Sequence, residues 1–135
     1  MTAAKNSVLI VDPSKESREV LRTALERDGI QILEANRADL GLALACDQHP
    51  HVVVLDLEIE PTHPDRLVEG FREVPGDSPP SLVVLGTARQ AQRGSLEETL
   101  QNGQFVRKPY HYGPLIRKIE ELLEHHQKPV LRNAA

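Results

Sequence analysis

His51-Val-Val-Val-Leu-Asp56 is the stretch on which the reading of this chain turns. Four apolar residues, three of them β-branched, run without a polar break into a carboxylate. Such a run suits a strand covered on both faces, as inside a parallel sheet. The carboxylate falls where the strand should end. In open α/β sheets, ligand chemistry collects beyond the carboxyl ends of the strands. Asp56 is therefore the candidate reactive group.

Working outward, Ser7-Val-Leu-Ile-Val-Asp12 has the same form, an apolar run closed by a carboxylate, with Pro13 to stop the strand. Ser14 is placed to cap a helix carrying Val20, Leu21, Ala24 and Leu25 on one face, ended by Gly29. Ile30 to Ala35 reads as a second strand and Ala38 to about Cys46 as a small helix, with Leu40, Leu44 and Ala43 inward and Cys46 as a buried small hydrophobe. Gly41 either weakens that helix or lets it pack closely on the sheet.

Beyond Asp56, Glu58 to Asp65 is expected as a loop, Leu67 to Val74 as a helix, and Ser81 to Leu85 as a fourth strand ending at Gly86-Thr87-Ala88. Ser95 to Asn102 reads as a weakly apolar helix, with Ser95 and Glu98 as a capping box and Gly103 as its stop. Gln104 to Arg107 is a fifth strand, closed by Lys108-Pro109. Gly113 and Pro114 then open a last helix at N-cap and N1, with Leu115, Ile116, Ile119, Leu122 and Leu123 as its buried stripe. The expected domain is 7–124, between a disordered stretch 1–6 and a polar tail 125–135. Strand and helix alternate five times, which implies one doubly wound α/β domain with a five-stranded parallel sheet.

Composition bounds the rest. Aromatic residues are 3% of the 135, so the core is aliphatic, and a net charge of −4 argues against a basic nucleic-acid face. A lone cysteine cannot make an internal disulfide, which fits a reducing compartment. No apolar run approaches the roughly 18 residues of a membrane span. The expectation is a cytoplasmic protein with no membrane and no nucleic-acid partner. The six histidines show no metal spacing.

Four strand ends thus carry polar groups: Asp12, Asp56, Thr87 and Lys108. Each has work to do in phosphoryl chemistry. Asp56 can attack phosphorus and hold an acyl phosphate. Asp12 can help hold Mg²⁺, and Thr87 and Lys108 can bind phosphoryl oxygens and neutralise their charge.

With Val-Leu-Ile-Val-Asp12, Val-Val-Leu-Asp56, Leu85-Gly-Thr87-Ala88 and Val-Arg-Lys108-Pro109 in this order, the chain resembles the receiver domain of two-component response regulators. The likeness covers about residues 7–124. Thirty-one positions separate Asp56 from Thr87, and 21 separate Thr87 from Lys108. The resemblance implies a flavodoxin-like (βα)5 fold and a phosphoacceptor rather than an enzyme, with at most slow self-dephosphorylation. Asp56 would be phosphorylated by a histidine kinase or phosphotransfer protein, with Mg²⁺. Thr87 would be the switch hydroxyl, Lys108 the phosphate-binding lysine and Phe105 the aromatic switch. The signal would reach a downstream protein through the surface of helix four, strand five and helix five, in a monomer or weak homodimer.

The chain departs from that family in four ways. Pro13 stands where a second acid is usual, which should weaken Mg²⁺. The segment Asp56-Leu-Glu-Ile-Glu-Pro61 is one residue longer than the usual loop. The turn before strand five is shortened, and no output domain follows, so a stand-alone receiver is expected. Glu58, two residues past Asp56, is the candidate replacement for the missing acid, giving Asp12, Asp56 and Glu58 (by side chain or backbone) as metal ligands. Arg89 is placed where it could pair with Glu58. The same departures support an alternative, a pseudo-receiver adaptor that is never phosphorylated. A dehalogenase-type phosphatase or a flavodoxin fits less well, for want of an Asp-x-Asp pair with a cap domain, or of a phosphate loop after the first strand.

Overall fold

The computed structural model describes residues 6–26, 29–100 and 104–127. Five parallel strands form one sheet in the order β2-β1-β3-β4-β5. They are β1 (Ser7–Val11), β2 (Gln31–Ala35), β3 (Val52–Asp56), β4 (Ser81–Gly86) and β5 (Phe105–Arg107). The helices are α1 (Lys15–Glu26), α2 (Ala38–Gln48), α3 (Pro64–Arg72), α4 (Ala88–Gln92), α5 (Leu96–Thr99) and α6 (Tyr112–Gln127).

The strands' continuous apolar runs are explained by their two covered faces. Leu9, Val11, Val53, Leu55 and Val84 point into a core shared with α2, α3, α4 and α5. Their neighbours Val8, Ile10, Val52, Val54, Val83 and Leu85 point the other way, into a core shared with α1 and α6. Successive strand side chains alternate between faces, so an unbroken run fills two cores at once. Gly41 belongs to close packing: a Cβ there would stand 2.9 Å from Val11 Cγ2 and 3.3 Å from Phe71 Cζ.

Several expectations are corrected. Cys46 is exposed, because the buried stripe of α2 runs through Gly41 and Ala45 and leaves positions 43 and 46 toward solvent. Val20 is 39% exposed, since Leu21 and Leu25 alone define the buried line of α1. Helix α3 starts at Pro64, three residues before the expected Leu67, with a 3₁₀ turn at Leu57–Ile59 overlapping the start of the expected loop. Helix α6 begins at Tyr112, so Gly113 and Pro114 lie inside its first turn.

The fourth helix differs most. The capping box is at Thr87 and Gln90, not Ser95 and Glu98. Gly94 (φ 61°) and Ser95 (φ 56°) are both left-handed, so the helical path breaks into α4 and α5. A Cβ on Gly94 would come within 3.1 Å of Asp65 Cβ, so the break packs tightly on α3. The expected end of that helix at Asn102 and Gly103 lies outside the described residues. Residues 125–127, expected as tail, are the last turn of α6, with His126 half-buried against Ser81.

Candidate phosphoryl-acceptor site

Parallel pairing sets the site. β1 and β3 lie side by side at the centre of the sheet, with Val11 opposite Leu55. Asp12 and Asp56 therefore leave neighbouring strands at the same edge. Asp12 is anchored by its backbone N–H, which donates to Ala35 O at 3.0 Å. β3 pairs with β4 so that Asp56 is level with Leu85. The Lys108 N–H donates to Gly86 O at 2.8 Å, so β4 holds the end of β5 and brings the lysine to the same edge.

Both carboxylates are nearly closed off, Asp12 at 2% and Asp56 at 5% exposure. Asp56 Oδ1 accepts from Lys108 Nζ at 2.8 Å and from the Glu58 backbone N–H at 2.9 Å. Asp12 Oδ1 accepts from the Ser14 N–H at 2.8 Å. No buried side-chain oxygen or nitrogen among the described residues lacks a hydrogen bond. The second oxygen of each carboxylate, with no bond of its own, is thus the one that meets solvent.

Electrostatics follow from this crowding. Burial pushes the Asp12 carboxyl up to about 6, and the nearby Asp56 charge adds to the push. The Ser14 N–H, Lys108 and Arg18 pull in the other direction. The Tyr110 phenol, two residues past Lys108, is also pushed up, first by burial, then by Tyr112, Asp12 and Asp56.

Not every expected residue joins the cluster. The Glu58 side chain is 72% exposed, 3.6 Å from Lys108 Nζ, and forms no ion pair with Arg89. Among the described residues no group of three or more His, Cys, Asp or Glu is arranged to hold a metal ion. Asp12 and Asp56 converge, and Glu58 contributes its backbone N–H to Asp56 instead of a third carboxylate. Thr87 sits at the end of β4, but its Oγ1 accepts from the Gln90 N–H at 3.1 Å while Gln90 Oε1 accepts from the Thr87 N–H at 2.8 Å. Its hydroxyl oxygen caps α4 as an acceptor. Phe105 is 7% exposed, with its ring lying over Gly86.

Arg18, not among the expected site residues, also reaches this edge. Its Nη1 donates to the Asp12 carbonyl at 2.7 Å and its Nε to Glu34 at 3.0 Å, with the side chain only 13% exposed. Arg22, one turn on, also pairs with Glu34. A lone Glu34 inside an apolar strand, facing two arginines four residues apart, was the available signal.

This topology, with an acid pair and a lysine at the carboxyl edge of the sheet, defines a CheY-like, flavodoxin-like α/β domain. The chain belongs to the response regulator receiver domain family, whose model matches residues 8–120. It is 32% identical over 123 residues to KdpE, the KDP operon transcriptional regulatory protein of Escherichia coli K12, covering 89% of this chain and 52% of KdpE. The chain thus spans about half the length of that relative. An uncharacterised 14.6 kDa protein of Leptolyngbya boryana is 28% identical, with 89% of this chain and 92% of that protein covered. Among solved structures, a CheY-like receiver domain protein from Methanospirillum hungatei superposes with a TM-score of 0.75 at 18% identity, covering 92% and 98% of the two chains. A two-component response regulator from Clostridium difficile gives 0.74 at 18% identity, covering 92% and 100%.

Proposed function

We propose that this receiver domain accepts a phosphoryl group on Asp56 from a phosphorylated histidine of a kinase or phosphotransfer protein and passes the signal to a partner protein. The observation that carries the reading is the asymmetric binding of the Asp56 carboxylate. Oδ1 is held by Lys108 and the Glu58 N–H, which leaves Oδ2 as the oxygen that can attack. In the transfer, Oδ2 forms the new O–P bond as the P–N bond to the donor imidazole breaks, and the imidazole takes up a proton. Lys108 then neutralises charge on the phosphoryl oxygens.

The donor set fits Mg²⁺ in a reduced form. The solvent-facing oxygen of Asp12, beside Asp56, supplies one carboxylate, and the ion ordinarily takes one or two carboxylates with phosphate oxygens and waters. When bound, it would offset the charge of the acid pair and the phosphoryl group. Pro13 in place of a second acid, and Glu58 turned to Lys108, make that binding weak. The protein is a phosphoryl acceptor rather than a turnover enzyme, and it works in the cytoplasm.

A second reading is the adaptor that is never phosphorylated. It is favoured by Pro13 in place of a second acid and by the exposed Glu58 side chain, which lies toward Lys108 instead of joining Asp12 and Asp56. Incubation with a small-molecule phosphodonor over a Mg²⁺ series, followed by intact mass, separates the two. A phosphoryl adduct that is absent in Asp56→Asn supports the acceptor. No adduct at any Mg²⁺ level supports the adaptor.

A further inference from the structure

The opposite edge of the sheet holds a second cluster of titratable groups. β1, β3 and β4 start there, and α6 ends there. Four of the chain's six histidines collect at this edge. His49 follows α2 in a left-handed conformation (φ 48°), His51 precedes β3, and His125 and His126 lie in the last turn of α6.

His51 Nδ1 accepts from the Ser7 backbone N–H at 3.0 Å. A ring nitrogen that accepts a hydrogen bond carries no proton, so this contact needs a neutral imidazole with its proton on Nε2. The His126 ring meets the His51 ring edge-on, with centroids 5.5 Å apart, and His126 Nε2 lies 3.0 Å from Ser81 Oγ. The His125 ring is 6.3 Å from that of His126. His49, His51 and His126 line one open cavity of about 470 Å³ with Asp77 and Ser78.

We infer that this corner is a proton-operated latch: neutral His51 and His126 fasten the last turn of α6 to the starts of β1, β3 and β4, and their protonation releases it. A doubly protonated His51 would point an N–H at the Ser7 N–H, donor against donor. Two imidazolium rings in edge contact repel each other. Burial, followed by the neighbouring His51 and His125, already holds His126 below the ordinary imidazole value. The charges facing His126 are His51 from the start of β3, His125 on its own helix, and His49 and Asp77 across the cavity. Asp77 is the one acid lining that cavity among the described residues, and it is exposed. Ser7 and Ser81 are uncharged.

The sign follows from the neutral requirement. The latch is intact above the ordinary imidazole pKa of about 6.5 and is lost as pH falls below it. Five steps along the strand take the chain from His51 to Asp56, about 16 Å. The latch is therefore a second input, and it stands whether or not Asp56 accepts a phosphoryl group.

The test uses the whole chain. Histidine ring resonances and amide exchange of residues 122–126 are followed from about pH 7.5 to about pH 5. The expected result is that His126 titrates below the ordinary value and that protection of the last turn falls about tenfold or more as the two rings take up protons. His51→Gln and His126→Gln should each flatten that fall. If either variant folds poorly, the wild-type titration decides by itself. Ordinary titration of the His126 ring, or constant protection of the last turn while the rings are protonated, overturns the latch.

Discussion

Lys108 Nζ and Asp56 Oδ1 lie 2.8 Å apart at the ends of strands separated by β4. The lysine side chain is 23% exposed and the aspartate 6%. The pair therefore stabilises the fold mainly by keeping a buried charge from standing alone. Removing one partner of a buried pair strands the other, whereas removing both charges is close to neutral.

Lys108→Met should accordingly destabilise the domain by about 2 kcal/mol, below the usual range for a fully buried pair because the lysine keeps contact with water. Asp56→Asn should cost less, since the amide oxygen still accepts from the Glu58 N–H. Combining the two should restore most of the loss. Urea midpoints of the four proteins measure this, and a double variant no more stable than Lys108→Met would show that the pair is not the cause.

Asp12 gives the pH dependence. Its carboxyl ionises near 3.8 when unfolded and near 6 when folded. Between those values the folded chain binds more protons than the unfolded one. Stability from this group is therefore highest at low pH, falls as pH rises through that window, and is level above it. A shift of this size is worth about 3 kcal/mol. Asp12→Asn keeps a group that can accept from the Ser14 N–H and removes the charge. It should be more stable than wild type at about pH 7.5 and close to it at about pH 4. Comparing the two proteins cancels the opposite slope from other carboxylates such as Asp39, whose pKa is lowered by the Leu40 N–H and then Arg37. The same variant should bind Mg²⁺ more weakly, a case of stability set against function.

Thr87 is where position was legible and orientation was not. A hydroxyl at a strand end could be placed from the run Ser81 to Gly86, but nothing local distinguishes a hydroxyl aimed at Asp56 from one turned to Gln90. The false capping box had the same origin. Ser95 and Glu98 have the right spacing, yet the left-handed turn at Gly94 and Ser95, wedged against Asp65, comes from a long-range contact. Apolar runs placed the five strands because burial on both faces leaves a direct imprint on sequence. Asp12, Asp56 and Lys108 followed from those runs. Arg18 escaped because its partners, the Asp12 carbonyl and Glu34, are set by the packing of α1 beside β2. Cys46 was misplaced because a short, largely apolar helix does not announce which face is buried.

The capping role has a measurable cost. Thr87→Ala should lose about 1 kcal/mol and Thr87→Ser very little, because only the oxygen bonded to the Gln90 N–H matters. Amide exchange at Gln90 and Ala91 should quicken in the alanine variant. A phosphoryl mimic on wild type should quicken the same amides where donating the Thr87 O–H to a phosphoryl oxygen draws Oγ1 away from the Gln90 N–H. Unchanged exchange with the mimic bound would mean that Thr87 stays with Gln90.

Gly86 controls where Phe105 can go. A methyl group there would stand 2.9 Å from Phe105 Cζ, 2.9 Å from Gln90 Oε1 and 3.0 Å from Leu57 Cδ1. The Gln90 amide is the end of a flexible side chain and can move aside. Leu57 is fully buried and cannot. The Phe105 ring, held on an edge strand of three residues, is the part free to give way. Gly86→Ala should destabilise the domain by about 1–3 kcal/mol, as overpacking does, and turn the ring outward without any phosphoryl group. The chain has two phenylalanines, and Phe71 is fully buried on α3. Fluorine NMR on fluorophenylalanine-labelled protein can therefore read Phe105 against an internal reference. The expected result is a solvent-sensitive shift of one resonance, Phe105, with the other unmoved. If both stay in place while stability falls, the strain has been absorbed at Leu57, and Gly86 does not govern the ring.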